Sequence, residues 1–227
     1  MWNLFSKPIT LVTHSGKFHS DDIFACAILS LMLEKEGKKV KIIRTRDEAT
    51  IASGDYVFDV GGEHDPTRKR FDHHQKGGAG FRENGIPYAA CGLVWKEFGA
   101  QLCGNDEAAL RIDKKLIQPI DAHDNGVSLV DVKGDVRPYT IQDAFSSFVA
   151  IPEEGEYAND KHFEMLIPFA KQILSREIML SQNVVKFSAI VKSLYENAAD
   201  KRIIIFDESI PAEEVLMTYP EPLYMVR

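Results

Sequence analysis

Five of the seven histidines fall between positions 14 and 74, and most travel with aspartates. The first cluster is His14-Ser-Gly-Lys-Phe-His19-Ser-Asp21-Asp22. Asp59-Val-Gly61-Gly62 is a second, Asp72-His73-His74 a third, and Asp121-Ala-His123-Asp124-Asn-Gly126 a fourth. Imidazoles and carboxylates without a thiolate form a donor set for Mn²⁺, Co²⁺, Fe²⁺ or Zn²⁺, whereas Mg²⁺ prefers an all-oxygen shell. Two ions roughly 3.5–4 Å apart can share one carboxylate and clamp the attacking and leaving oxygens of a phosphoryl group. Asp59 suits the shared position, because a Gly-Gly pair after a strand lets a substrate approach the backbone. Taken singly, these residues have plainer uses. Asp22 alone reads as a helix N-cap sooner than a ligand. Asp121 and Asp124 could simply form a turn before Gly126. His64 and His162 read as surface residues. The joint pattern is what points to metal.

Separate clusters make one site only if the fold brings them together. Ile9 to His14 is a β-branched run and reads as a buried strand. A helix capped by Asp21 or Asp22 follows to about Glu36, with Ile23, Ala27, Ile28 and Leu31 on one side. Val40 to Thr45 and Asp55 to Val60 read as two more strands. Phe81 to Pro87 reads as loop, and helices are expected over about 89–98 and 107–120. Strand–helix–strand order with short connections implies right-handed crossovers and a parallel sheet flanked by helices. In such sheets ligands gather outside the carboxyl ends of the strands, where three of the four clusters begin. From Lys161 to Asn197 the periodicity is helical, with Pro168 as a kink. Arg202 to Asp207 reads as another strand, Pro211 opens a short helix, and Leu223 to Val226 reads as a last strand.

Composition bounds the partners. The chain has 227 residues, 44% hydrophobic and 27% charged, with a net charge of −7. That is a globular mix for one large domain, or one plus a fragment. The acidic balance argues against electrostatic capture of a long duplex, which needs a basic face. Cys26, Cys91 and Cys103 lack any CxxC spacing, which argues against a disulfide framework and a cysteine zinc knuckle. The start of the chain lacks the apolar core of a signal peptide. The longest apolar stretch, Ile23 to Leu33, falls short of the ~18 residues of a membrane span. A cytoplasmic protein without membrane association, or one of an organelle matrix of equivalent redox state, is the expectation.

With these motifs in hand, the sequence resembles the DHH phosphoesterase superfamily, whose signature is the Asp72-His73-His74 triplet. Within it, the sequence is similar to the melanocyte-proliferating-gene exonuclease family. The string Thr-His-x-Gly-x-Phe-His-x-Asp-Asp spans 13–22, Asp-Val-Gly-Gly 59–62, Asp-His-His-Gln 72–75 and Asp-x-x-Asp-Asn-Gly 121–126. The resemblance implies a DHH-type catalytic domain over residues 1–200, with a helical extension at about 140–199. It implies two ions, one held by His14, His19 and Asp59, the other by Asp21, Asp59, His73 and a carboxylate of the fourth cluster. It leaves open whether that carboxylate is Asp121 or Asp124. His74 would bind substrate phosphate or steady the ligands, and Asp72 would orient a histidine. A histidine at position 19, where many superfamily members carry aspartate, favours Mn²⁺ over Mg²⁺, with Co²⁺ or Zn²⁺ as alternatives.

The implied reaction is metal-assisted hydrolysis of phosphodiesters, as a 3′–5′ exonuclease on single-stranded RNA or DNA or on short oligonucleotides. Lys76 and Arg82, flanking a glycine-rich loop, are candidates to stabilise charge on phosphoryl oxygens, with Lys17 a third. A pyrophosphatase or small-nucleotide phosphatase is the alternative within the same chemistry. Residues 201–227 read as a partial, truncated second domain where the family usually adds a substrate-binding one. An inactive metal-binding interaction module is therefore the alternative outside catalysis. A homodimer is compatible with all three.

Overall fold

The computed structural model describes residues 7–222 and 224–226. β1 (Ile9–Thr13) is an inner strand of a five-stranded sheet, its Leu11, Val12 and Thr13 buried. β2 (Val40–Arg44) and β3 (Tyr56–Phe58) flank it in parallel, with Leu11 opposite both Ile42 and Tyr56. β5 (Arg70–Phe71) continues the parallel run beside β3, and β4 (His64–Asp65) closes that edge antiparallel. The order is β2-β1-β3-β5-β4. The expected α/β architecture with a mostly parallel sheet is therefore observed. The strand expected over 55–60 is shorter, because Asp59 leaves the extended region at φ 54°. Neither β4 nor β5 was foreseen, since two residues carry no readable period. The short helix α2 (Glu48–Ser53) buries no residue and offers no apolar face to detect.

α1 (Ser20–Lys35) is the hub. Every residue from Ser20 to Ser30 is buried, the mark of a helix enclosed on all sides. It packs against α3 (Ala90–Cys103) and α7 (Ala158–Asn197). The expectation of one apolar side was too narrow: Leu31 is only half-buried, whereas Phe24, Ala25 and Leu29 on other sides are fully buried. Its N-cap is His19, so Asp21 and Asp22 lie inside the first turn and neither is the cap.

α4 (Asp106–Ile112), a π-helical turn over Asp113–Ile117 and α5 (Gln118–Asp124) run on from one another. Helix thus extends to Asp124, past the expected end at 120, and puts Asp121 and Asp124 one turn apart on one face. α6 (Ile141–Ser146) precedes the 40-residue α7, which runs through Pro168 unbroken. Phe163, Leu166, Ile167, Ala170 and Leu174 join the core around α1. Further along, Val184 and Val191 join a second apolar cluster with Ile204, Phe206, Ile210, Val215 and Leu216. That cluster draws on β6 (Ile203–Ile205), α8 (Glu213–Leu216) and the segment between them, while β7 (Tyr224–Val226), exposed throughout, pairs in parallel with β6. Leu223, expected to begin the last strand, and residues 1–6 lie outside the described residues. No helix among the described residues is long and apolar enough to cross a membrane.

Two arginines at the end of β2 hold the loop between β1 and α1. Arg44 donates to the Gly16 carbonyl at 2.9 Å, pairs with Asp160 of α7 and lies 4.6 Å over the Phe163 ring. Arg46 donates to the Ser15 carbonyl at 3.3 Å.

All three cysteines are buried and free. Burial pushes the Cys26 thiol up to about 12 and the Cys103 thiol up to about 11. A thiol pKa raised in the folded state stabilises the fold below the unfolded value, and that stability is lost as pH rises toward the folded one. We expect no labelling of the native protein by a thiol reagent at pH 8, three labels after denaturation, and a melting temperature that falls as pH rises above about 9. Fast labelling of the native chain at pH 8 would contradict this burial.

Candidate metal centre

Three parallel strands end at one edge, and each delivers ligand atoms there. β1 leads into His14, β3 into Asp59 and β5 into Asp72-His73-His74. The first turn of α1 adds Asp21 and Asp22, and the end of α5 adds Asp124. His14 Nε2 lies 3.2 Å from Asp22 Oδ2 and 3.1 Å from Asp59 Oδ2. The other Asp59 oxygen, Oδ1, lies 3.3 Å from His73 Nε2. One carboxylate thus faces an imidazole with each oxygen, which is what a bridging ligand must do. His73 Nε2 is also 3.1 Å from Asp124 Oδ2. Ligand atoms of His14, His19 and Asp59 lie within 4.8 Å of one another, as do those of Asp21, His73 and Asp124, and those of Asp59, His73 and His74.

The backbone that aims Asp59 is unusual. A left-handed φ in a non-glycine residue is uncommon and persists only where the surroundings fix it. Its N–H donates to the Phe71 carbonyl at 3.1 Å, and Gly61 and Gly62 follow at φ 100° and 67°. Asp72 ties this loop to the triplet. Its Oδ2 accepts from the Gly62 N–H at 2.5 Å, while Oδ1 accepts from the N–H groups of His73 and His74 and lies 2.8 Å from His74 Nδ1. Asp72 therefore orients His74.

The N-terminus of α3 points into the same region. Its N-cap, Ala89, has no side-chain acceptor, yet the first N–H groups of a helix need partners. Asp21 accepts from Ala90 N–H at 3.1 Å and Cys91 N–H at 2.6 Å, and Asp121 accepts from Gly92 N–H at 2.9 Å. Both carboxylates thus cap α3 from other helices, and the helix dipole favours their charge. Asp121 also accepts from Arg82 Nη1 at 2.7 Å, and Arg82 in turn holds Asp113. Breaking such a buried pair costs about 3–5 kcal/mol.

Negative charge exceeds what the protein's own cations offset. Burial works against charge on His14, but Asp22 and Asp59 outweigh it and raise its pKa to about 10. For His73 burial is again overcome, by Asp124 and Asp59, and its pKa rises to about 11. Burial and the nearby Asp124, Asp59 and Asp121 push Asp21 well up. A metal-free chain would hold protons here where a divalent cation could replace them. Three buried atoms in this cluster, Asp22 Oδ2, Asp59 Oδ1 and His73 Nε2, face imidazole or carboxylate atoms at 3.1–3.3 Å without forming a hydrogen bond. Buried polar atoms are rarely left so. Clustered lone pairs, an excess of carboxylate and imidazole nitrogen at one point fit divalent cations. Cys91 is also near Asp21 and Asp121, but burial pushes its thiol well up, so it offers no thiolate.

Beside the cluster opens a cavity of about 700 Å³ lined by His14, His19, Asp59, Gly61, Gly62 and His74, with Lys17 and Arg46 at its wall. Of the residues singled out in the sequence, His14, His19, Asp21, Asp59, His73, His74 and Asp124 come together. Asp121 is turned to Arg82 and α3. Arg82 is buried between two carboxylates, leaving it no free face for a phosphoryl group. Lys76 is exposed on the turn after the triplet and is not among the residues lining the cavity. Two contributors were missed. Asp22 is not the N-cap, but from the third position of α1 it accepts from the N–H of the N-cap His19 at 2.9 Å while its other oxygen faces His14. Arg46, just beyond the end of β2, could have been found by asking which cations follow a strand at the carboxyl edge.

Gly92 is where this packing has no slack. A Cβ there would sit 1.8 Å from Asp121 Oδ2 and 2.7 Å from Asp121 Cγ. Gly92→Ala should therefore destabilise the protein by at least ~2 kcal/mol, read as a lower denaturation midpoint. A neutral result would mean that Asp121 does not reach α3.

The profile of the MYG1 exonuclease family, described as an uncharacterised protein family (UPF0160), matches residues 10–225. The human protein named MYG1 exonuclease is 39% identical over 142 residues, covering 53% of this chain and 36% of that protein. The bovine MYG1 exonuclease is 37% identical over 164 residues, covering 63% of this chain and 41% of its own. A MYG1 protein of Dictyostelium discoideum is 30% identical over 237 residues, covering 92% of this chain and 70% of its own. The matched region spans well under half the length of the mammalian relatives. No solved structure matches the chain significantly. The family match across nearly the whole chain, together with relatives of this similarity, shows that the chain belongs to the MYG1 family.

Proposed function

We propose that this chain hydrolyses phosphoester bonds with two divalent cations, and that it acts on single-stranded RNA or DNA ends or short oligonucleotides in the 3′–5′ direction. The observation that carries the reading is the convergence around Asp59 of buried ligand atoms without hydrogen bonds. His14, His19 and Asp59 would hold one ion, and Asp21, Asp59, His73 and Asp124 the other. Asp124 is preferred over Asp121 because Asp121 already serves Arg82 and α3. Three imidazoles in the set favour Mn²⁺ over Mg²⁺. When bound, such ions lower the pKa of water and offset charge on a phosphoryl group. The name exonuclease carried by the human and bovine relatives supports a nucleic-acid substrate.

The protein's own groups would do the rest. Asp72 raises the pKa of His74 and fixes its ring, so that a cationic imidazole at the cavity wall can donate to a phosphoryl oxygen. Lys17 and Arg46 add positive charge at that wall and replace Lys76 and Arg82 as the groups to bind anionic substrate. Gly61 and Gly62 carry no side chain between substrate and backbone. A second reading, a pyrophosphatase or small-nucleotide phosphatase, is favoured by one observation. Among the described residues the cavity lining includes no Phe, Tyr or Trp, and stacking on such rings is the usual platform for bases.

Titration of the metal-stripped chain with Mn²⁺ should show two sites. Asp124→Asn should lose one, and Asp121→Asn should keep both while lowering the melting temperature by several degrees. The reverse pattern would exchange their roles. With Mn²⁺ present, the wild type should release mononucleotides from a labelled oligonucleotide. Asp59→Asn should lose more than the ~10–100-fold typical of supporting residues. If pyrophosphate is cleaved and the oligonucleotide is not, the second reading stands; if neither is cleaved, the hydrolase fails.

A further inference from the structure

α7 buries one side and leaves another bare. Its buried residues face the two apolar clusters. It also exposes Met165 (52%), Phe169 (50%), Met179 (51%), Leu180 (46%), Ile190 (50%) and Leu194 (36%), with Phe169 touching the Phe145 ring at the edge of the core and Leu180 at the rim of a groove shared with Leu110 and Glu214. At 3.6 residues per turn these six fall within an arc of about 100°, an aligned stripe interrupted by the exposed Gln172, Arg176 and Asn183. Exposed apolar surface that is scattered needs no explanation, but an alignment along one helix face does.

The spacing of the stripe identifies what covers it. Its centre is the Met179–Leu180 pair. Phe169 lies ten residues before Met179, and Ile190 lies ten after Leu180. Met165 lies fourteen before, and Leu194 fourteen after. Two exposed polar residues keep the same spacing, with Arg176 three before and Asn183 three after. An isologous two-fold interface requires this, because residue i must meet j while j meets i. Two antiparallel copies of α7 crossing at this centre would pair Met165 with Leu194, Phe169 with Ile190 and Met179 with Leu180. Arg176 would meet the side-chain oxygen of Asn183, a polar pair that fixes register. One pair is mismatched: Gln172 would face the half-buried Phe187. A partner of unrelated sequence has no reason to demand such symmetry.

We infer that this chain forms an antiparallel homodimer through the outer face of α7, with its two-fold axis between Met179 and Leu180. From Met165 to Leu194 the seam is about 45 Å long, and at a width of ~10 Å it covers on the order of 450 Å² per copy. Doubled, that is near the roughly 1,000 Å² at the lower limit of specific interfaces. An interface at that limit should be reversible and concentration-dependent. The inference stands apart from the metal centre, which lies on other elements.

Sedimentation of the chain across concentrations should show a monomer–dimer equilibrium. Met179→Lys or Leu180→Glu alone should weaken it at least ~100-fold, and mixing the two variants should restore a heterodimer, because the new charges then oppose each other. Register is read by crosslinking. The native cysteines are buried, so the double variant Met165→Cys, Leu194→Cys should oxidise to a covalent dimer. Met165→Cys alone should not, since the two thiols would be ~45 Å apart. Far-ultraviolet circular dichroism checks that each variant is folded. A wild type that stays monomeric at about 200 μM, a concentration that a specific reversible dimer should populate, would overturn the inference. So would equal crosslinking by the single and double variants.

Discussion

Five aspartates, Asp21, Asp22, Asp59, Asp121 and Asp124, are brought to the edge where three parallel strands end, and their mutual repulsion must be offset for the fold to exist. Much of the architecture can be read as that compensation. The N-terminus of α3 aims three N–H groups at Asp21 and Asp121. Arg82 is drawn in to neutralise Asp121 and Asp113. His14 and His73 are placed on either side of Asp59. These groups do not suffice, because atoms without hydrogen bonds and strongly raised imidazole pKa values are left at the centre. The remaining imbalance is what a cation there would offset.

The same compensation explains why structural and chemical roles overlap in single residues. Asp21 both caps α3 and faces the centre. Asp22 accepts from the N–H of the N-cap His19 with one oxygen and meets His14 with the other. Each loses conformational freedom to its backbone partner, so the face it turns to the centre is fixed in advance. Asp72 does the same for His74 from behind, binding the Gly62 loop and the triplet with one carboxylate.

Much of this was legible from residue types and order. The parallel sheet follows from the alternation of β-branched runs and helices, and the sheet edge follows from the clusters that terminate those runs. Local rules failed where the deciding partner is remote. Asp121 and Asp124 sit in one helix with similar neighbours, and only Arg82, distant in sequence, separates them. Arg82 itself resembles a substrate-binding group until its two carboxylate partners are seen. The burial of α1 on all sides could not be read from one amphipathic face, because the pattern of an enclosed helix has no polar side. The left-handed turn at Asp59 carried a hint in the Gly-Gly that follows, but no rule of propensity places an aspartate there.

The Arg44 side chain joins two parts of the molecule that the chain itself keeps far apart. One guanidinium holds the Gly16 carbonyl in the loop between His14 and His19 and also reaches Asp160 near the start of α7. Fraying of that helix end would therefore slacken the histidine loop before any strand was disturbed. The first thermal event at the centre would then be a loss of order at His19, with the Asp59–His73 side still intact.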